Sequence, residues 1–458
     1  MREKSIVHYD LDTFFVSCER LVNSELNGKP ILIGGSSDRG VVASCSYEAR
    51  KFGVRSAMPM RYALRLCPQA IVVRGDMELY SRYSKLVTDV MTDSAPLVEK
   101  ASVDEFYLDI SGMDKYFGCY QWTSELSQRI MKETGLPISF GLSVNKTVAK
   151  VATGEGKPTG KLAVPQDQVK PFLFPLSIRK IPMVGKATFE ILSRIGIRQV
   201  GTLAEMPVEV MQQLIGKNGV TIWKKANGVD NRPVVPYTER KSISTERTFH
   251  TDTMDIPRLK ALLVAMVEKL AFQLRDEEKL CSNISVKIRY TNFDTHSKQS
   301  RLHYTSNTQE LLKRAQELFE GIYTRRMMLR LVGVRLSGIV TGSYQINLFD
   351  DERLIQLCMA ADKLKKQYGH RCLQRAVSLK AYAKPTGILK DRGMGSTLNQ
   401  EQAKSKPERK RRTSSFGDMG WGGVKNTDLR KQLINEPEAL AGERRKEIDE
   451  RRKENNYF

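Results

Sequence analysis

No apolar run in this chain of 458 residues reaches the roughly 18 residues that a membrane-spanning helix requires. A membrane role is therefore not expected. The opening Met1-Arg-Glu-Lys-Ser5 carries no apolar signal core before a strand-like segment, so the sequence gives no reason to expect export. The seven cysteines, at 18, 45, 67, 119, 281, 358 and 372, are odd in number and show neither CxxC nor Cys/His metal spacing. They read as reduced thiols of a cytoplasmic protein and argue against a structural zinc. Acids are also under-represented: 52 Asp and Glu face 74 Lys and Arg, a net charge of +22. That excess goes far beyond what solubility needs and points to a polyanionic partner, nucleic acid first. What remains is ample for folding, with 40% hydrophobic residues, and the length calls for three or four units rather than one core.

Residues 1–170 alternate strand and helix. Ser5-Ile-Val-His-Tyr-Asp-Leu-Asp12 and Pro30-Ile-Leu-Ile-Gly34 read as central strands, Glu78 to Met91 has helical spacing, and Leu136 to Val144 returns to strand before a helix from Asn145. Residues 171–232 differ. Short helices broken by glycine, with Ile181-Pro-Met-Val-Gly-Lys186 ahead of a helix Ala187 to Ile195, have the grammar of a helix-hairpin-helix. Gly185 there would let backbone N–H groups approach a DNA phosphate, with Lys186 beside it. A second glycine turn at Leu214 to Gly219 strengthens that reading over an ordinary helix turn. Residues 233–240 read as a linker with two prolines nearby. From 241 to 342 the order strand, helix, strand, strand, helix, strand predicts a small sheet with two helices on one face. In Ile284-Ser-Val-Lys-Ile-Arg-Tyr290, alternation packs one face and presents Lys287 and Arg289 on the other, which we read as a phosphate-tracking surface rather than a merely solvated one. Residues 343–384 form a further segment, and 385–458 a basic tail expected to be mostly disordered. The class is α+β and multidomain.

The chemistry-bearing residues are acids. Asp10 and Asp12 end the first strand and share a face. Ala101-Ser-Val-Asp-Glu-Phe-Tyr-Leu-Asp109 sets Asp104 and Glu105 side by side, and both reach one site only at a bulge or hairpin corner beside Asp10. Three such carboxylates repel one another unless cations neutralise them, and two Mg²⁺ ions suit a phosphate-handling protein. Ser44, Tyr47 and Arg50 in Ala43-Ser-Cys-Ser-Tyr-Glu-Ala-Arg50 and Lys157 in Lys157-Pro-Thr-Gly160 are groups suited to a triphosphate, although each alone reads as an ordinary surface residue.

Taken in order, Asp10-Leu-Asp-Thr-Phe-Phe15, Ser46-Tyr-Glu-Ala-Arg-Lys-Phe-Gly-Val54, Ser102-Val-Asp-Glu105, Asn145-Lys-Thr-Val-Ala-Lys150, Lys157-Pro-Thr-Gly160 and the hairpin Ile181 to Lys186 resemble the Y family of lesion-bypass DNA polymerases, and most closely its DNA polymerase IV branch. The resemblance spans roughly residues 5–345. It implies a right hand with a ferredoxin-like palm and small fingers (1–170, the fingers at about 20–77), a helical thumb and a little-finger domain. It also implies that Asp10, Asp104 and Glu105 bind both metals with help from the Leu11 carbonyl. Ser44, Tyr47, Arg50 and Lys157 would hold a deoxynucleoside triphosphate, and Phe15 would be the gate against a ribose 2′-hydroxyl. Two departures, Ser44 where the family often has Thr and Ala152-Thr-Gly154 where it has Ala-Ser-Asp, remove no metal ligand, so activity is expected to survive. Gln345-Ile-Asn-Leu-Phe349 looks like the pentapeptide by which bacterial polymerases dock on the sliding clamp, with Leu348 and Phe349 as apolar anchors and Gln345 as hydrogen-bonding group. The expected protein is a monomer acting on primer-template DNA. A nucleotide cyclase gives no use to the hairpin or the basic strand domain, and a non-catalytic DNA-binding adaptor needs no carboxylate triplet.

Overall fold

The computed structural model describes residues 4–35, 39–113, 118–236, 238–342, 352–369 and 372–382. The clamp-like pentapeptide with Gln345, Leu348 and Phe349, and the tail from 385, lie outside the described residues.

Strand β1 (Ile6–Leu11) is the centre of the first sheet. A three-stranded sheet follows, with β2 (Ile31–Gly34), β3 (Val42–Cys45) and β4 (Ile71–Val73) in the order β3-β2-β4 around a small core of its own. The chain then returns through β5 (Val98–Lys100), β6 (Glu105–Asp109), β7 (Ile138–Ser143) and β8 (Lys161–Val164) to complete the order β5-β6-β1-β7-β8. Strand β1 runs antiparallel to both neighbours, the ferredoxin-like arrangement with β8 added parallel at one edge.

Alternation along β1 sorts its side chains. Val7, Tyr9 and Leu11 join Phe106, Leu108 and Phe140 beneath the helices Met77–Ser94 and Cys119–Thr134. His8 lies on the opposite face, and its Nδ1 meets Thr153 Oγ1 of the helix Lys146–Gly156 at 2.9 Å. Asp10, two residues on, shares that face. The helix can lie close because Gly141 has no Cβ; one there would stand 2.2 Å from the Ala149 carbonyl oxygen. Val148, Val151 and Ala152 of the same helix join the core of the helices Lys186–Arg194, Val200–Glu205, Val208–Ile215 and Lys217–Ala226.

The described residues between 229 and 241 carry no regular structure, as the prolines predict, yet the stretch is not a free tether. Asp230 accepts from Thr147 Oγ1 at 2.6 Å, the Val235 N–H donates to Glu99 at 2.6 Å, and Val234 is buried against Ile6 and Tyr107. Composition alone signals irregular backbone, not where it docks.

The last sheet contains β9 (Ser242–Thr253), β10 (Lys279–Tyr290), β11 (Thr295–Thr305) and β12 (Leu329–Thr341) in the order β11-β10-β12-β9. The helices Ile256–Asp276 and Thr308–Ile322 pack on one face, where Ile284, Val286 and Ile288 are fully buried, and the other face is open. Beyond it, a helix Glu352–Tyr368 that the sequence did not announce is held to Ile256–Asp276 by ion pairs, Arg275 to Asp362 at 2.5 Å and Lys366 to Asp276 at 2.7 Å.

Candidate active site

The predicted hairpin corner joins β5 to β6. The Ser102 hydroxyl accepts from the N–H groups of Asp104 and Glu105 at 3.2 and 3.0 Å and donates to Asp104 Oδ1 at 2.5 Å, a local turn that lets two adjacent acids leave the strand in different directions. Glu105 is the cross-strand partner of Asp10, and the Leu11 N–H donates to the Asp104 carbonyl at 3.0 Å. Backbone pairing thus brings Asp10, Leu11, Asp104 and Glu105 to the C-terminal end of β1.

Two lysines of the covering segment reach into this end. Lys150 Nζ contacts both Glu105 oxygens at 2.6 Å, and Lys157 Nζ is ion-paired to Asp10 with Asp12 Oδ1 at 3.7 Å. Burial pushes the Asp10 carboxyl up to about 6, against the pull of Lys157, and the neighbouring Glu105 and Asp104 charges add to the rise. Among the described residues no three acid, Cys or His side chains are close enough together to share one ion, and Lys150 and Lys157 stand on Glu105 and Asp10. Nonetheless, the donor set fits hard divalent cations: oxygen ligands, mutual repulsion and partial burial are what such an ion relieves.

Asp12 does something different from its neighbour. It is 1% exposed, and its Oδ2 accepts from Ser139 Oγ at 2.8 Å and from the Thr159 N–H at 2.6 Å, while the Tyr47 hydroxyl sits 3.3 Å from Oδ1. One buried acid therefore ties β1, β7, the Lys157 turn and the helix Tyr47–Lys51 together. That turn needs Gly160, where a Cβ would meet the Gly156 carbonyl oxygen at 1.7 Å. The sequence offered a signal, the i, i+2 pair Asp10 and Asp12, but gave no means of separating a buried anchor from an open ligand.

Ser46 caps the helix Tyr47–Lys51, accepting from the Ala49 N–H at 3.3 Å. Tyr47 and Arg50 consequently share a face, with the guanidinium 5.2 Å from the ring centroid, and the buried Arg50 Nε finds no hydrogen-bond partner. Burial, followed by the charge of Asp12, raises the Tyr47 phenol, so it stays a neutral donor. Ser44 lies half-buried on β3 opposite Ile33. Phe15 is the second residue of the helix Phe14–Val22 that follows Asp12-Thr13 and stacks on Tyr80 at 4.3 Å and 14°, and Tyr80 is itself fixed by its hydroxyl on Glu19 at 2.6 Å. The Tyr80 support was not apparent from the sequence, because 65 residues separate the two rings. His8 beneath the site is buried, and desolvation, with Lys150 and Lys157 nearby, holds it well below its usual pKa, so it is neutral.

The expected DNA contacts lie elsewhere. Gly185 caps the helix Lys186–Arg194 with nothing within 4 Å of where its Cβ would be, and Lys186 is 90% exposed. The left-handed residue of that hairpin is Met183, φ 84, so Gly185 supplies open space rather than an unusual backbone angle. On the open face of the last sheet a trough of about 530 Å³ is lined by Ser285, Lys287, Gln299 and Arg335 among others. Lys287 is not a free cation, since Glu246 sits 2.5 Å away, and Arg289 Nε donates to Thr295 Oγ1 at 2.8 Å. Single-strand alternation shows that these side chains share a face but is silent about the acid on a neighbouring strand.

Comparison with known proteins matches residues 9–154 to the impB/mucB/samB family and residues 240–348 to that family's C-terminal domain. The chain is 38% identical over 379 residues, 82% of its length and 97% of the relative's, to DNA polymerase IV of Dehalococcoides mccartyi strain BAV1. It is 36% identical over 358 residues, 77% of its length and 91% of the relative's, to the DNA polymerase IV of Treponema denticola. The chain belongs to this family, the Y family of DNA polymerases. Among solved structures a Y-family polymerase chimera, Dbh-Dpo4(243-245)-Dbh, superposes with a TM-score of 0.67 at 25% identity over 74% of this chain and all of that one. This polymerase is thus a DNA-directed enzyme of the lesion-bypass class that depends on divalent metal, and neither the cyclase nor the adaptor alternative finds support. No helix among its described residues is long and apolar enough to cross a membrane.

Proposed function

We propose that Asp10, Asp104 and Glu105, with the Leu11 carbonyl, hold two Mg²⁺ ions and that this site extends primers past damaged bases. The observation that carries it is the end of β1, where partial burial raises Asp10, Glu105 and Asp104 add to the rise, and lysines are paired to both flanks. Bound there, the ions would neutralise the phosphates and activate the primer hydroxyl. The rest is the work of side chains. Tyr47, Arg50 and Lys157, with Ser44 on the adjacent strand, converge on the triphosphate, and the unpartnered Arg50 Nε supports that role. As the phosphates bind, Lys157 exchanges Asp10 for them, freeing the acid for its ligand role. Asp12 keeps Tyr47 and the Lys157 turn in place throughout. Phe15, backed by Tyr80, lies at the start of the helix after the ligand strand, suited to exclude a ribose 2′-hydroxyl by contact.

The same reading assigns palm and fingers to 1–170, the thumb to 171–232, a linker to 233–240 and the little finger to 241–342. Gly185 and Lys186 of the thumb and Lys287 and Arg289 of the little finger would hold the duplex backbone. Gln345, Leu348 and Phe349 would dock a monomeric, cytoplasmic enzyme on a sliding clamp, a reading that rests on the motif and its place after the little finger. Primer extension by Asp104→Asn and Glu105→Gln variants tests the metal site.

A further inference from the structure

Phe293 stands at φ 70 in the turn between β10 and β11. A bulky residue is strained there, and a glycine would not be. Burial does not repay that strain, because 61% of the residue is exposed. The backbone is nevertheless well held, with the Phe293 N–H donating to the Tyr290 carbonyl at 3.0 Å and Thr295 Oγ1 donating to the Phe293 carbonyl at 3.2 Å. The Arg330 guanidinium lies against the ring, 4.5 Å from its centroid. An aromatic ring kept in a costly conformation, braced by a cation and open to solvent, is built to be stacked upon.

Its place in the fold says by what. This end of the sheet faces the fingers: Arg39 donates to the Phe249 carbonyl at 3.0 Å and to Asp252 at 2.5 Å, both on β9. Asp252 also takes a bond from Thr291, two residues from Phe293. At this edge Arg39 is paired to Asp252 and Arg325 to Asp294, and Arg330 on the ring adds a further cation, so the balance of charge suits an anion. We propose that Phe293, backed by Arg330, is a stacking platform for an unpaired base of the template strand where it passes between little finger and fingers. The proposal rests on the reading that the open sheet face tracks the duplex. Every base has a π-face, so the platform is indifferent to sequence, and a positive rim holds the backbone beside it.

The test is equilibrium binding of the full chain to two labelled DNAs that share one duplex, one with a long unpaired 5′ template overhang and one blunt. Wild type binds the overhang DNA more tightly. Phe293→Ala loses about five-fold or more of that affinity, the factor a single base–aromatic stack supplies, and leaves blunt DNA unchanged, while Phe293→Trp retains the preference. Phe293→Gly, which relaxes the backbone, unfolds at a urea concentration no lower than wild type yet shows the same loss on overhang DNA. Equal affinity of wild type for both DNAs, or equal loss on both in Phe293→Ala, overturns the platform alone. Blunt-duplex affinity unmoved by a Lys287→Ala, Arg289→Ala double replacement instead overturns the sheet-face reading and the platform with it.

Discussion

Replacing Asp12 with alanine should cost the fold about 3 kcal/mol, and replacing it with asparagine about 1 kcal/mol or less. The numbers come from who is left without a partner. In the alanine variant Ser139 Oγ, in a fully buried residue, and the Thr159 N–H both lose the oxygen they share. A buried donor left unmet costs about 1–3 kcal/mol, and the amide of the exposed Thr159 recovers part of its loss from water. Asparagine can place its carbonyl oxygen where Oδ2 stands, accepting from both donors, and turn its amide toward the Tyr47 oxygen, so that only the charge near Lys157 is lost. Urea unfolding followed by circular dichroism checks the stabilities, and single-nucleotide incorporation checks the function, with KM for the nucleotide rising more in Asp12→Ala than in Asp12→Asn. Equal destabilisation by the two substitutions would show that charge, not hydrogen-bond geometry, is what Asp12 supplies, and the reasoning would fail.

Phe15→Ala should admit ribonucleotides at the expense of sugar selectivity; an unchanged ratio of deoxy to ribo incorporation would assign the gate to another residue. Because Asp10 titrates near 6 without metal, above the 3.8 of an ordinary Asp side chain, its ionisation opposes folding as pH rises from about 4 to 6, and Mg²⁺ must displace its proton at the acid end. Mg²⁺ affinity by calorimetry should therefore weaken as pH falls below about 6, and the Asp10→Asn protein should lose that dependence. Leu348→Ala with Phe349→Ala should leave distributive extension intact but weaken clamp affinity by roughly hundreds-fold, since apolar anchors of this kind are worth about 2 kcal/mol or more apiece; clamp-dependent synthesis that survives the pair would reject the docking reading.

Period-two patterning made the strands legible: Val7, Tyr9 and Leu11 against His8 and Asp10, or Ile284, Val286 and Ile288 against Lys287 and Arg289, announce their faces in the sequence. The adjacency of Asp104 and Glu105 likewise demanded a corner, and Ser102 makes one. What the sequence withheld are pairings across long separations. Nothing local tells that Lys150 will stand on Glu105, that Glu246 will neutralise Lys287, that Tyr80 will lie under Phe15, or that residues 230–235 will be strapped to the first sheet and the helix Lys146–Gly156. Asp12 marks the boundary most clearly, because the alternation that puts it beside Asp10 does not foretell that one acid will be 1% exposed and saturated with donors while the other is held by an ion pair with Lys157.

The central claim is that the carboxylates of β1 and the β5–β6 corner carry the metal chemistry while other domains hold the DNA. Primer extension and primer-template affinity should therefore be measured on the same preparations of Asp104→Asn and Glu105→Gln. The account predicts that extension is abolished and that DNA affinity stays within about two-fold of wild type, a difference of less than about 0.5 kcal/mol. Extension near the wild-type rate in either variant would contradict it.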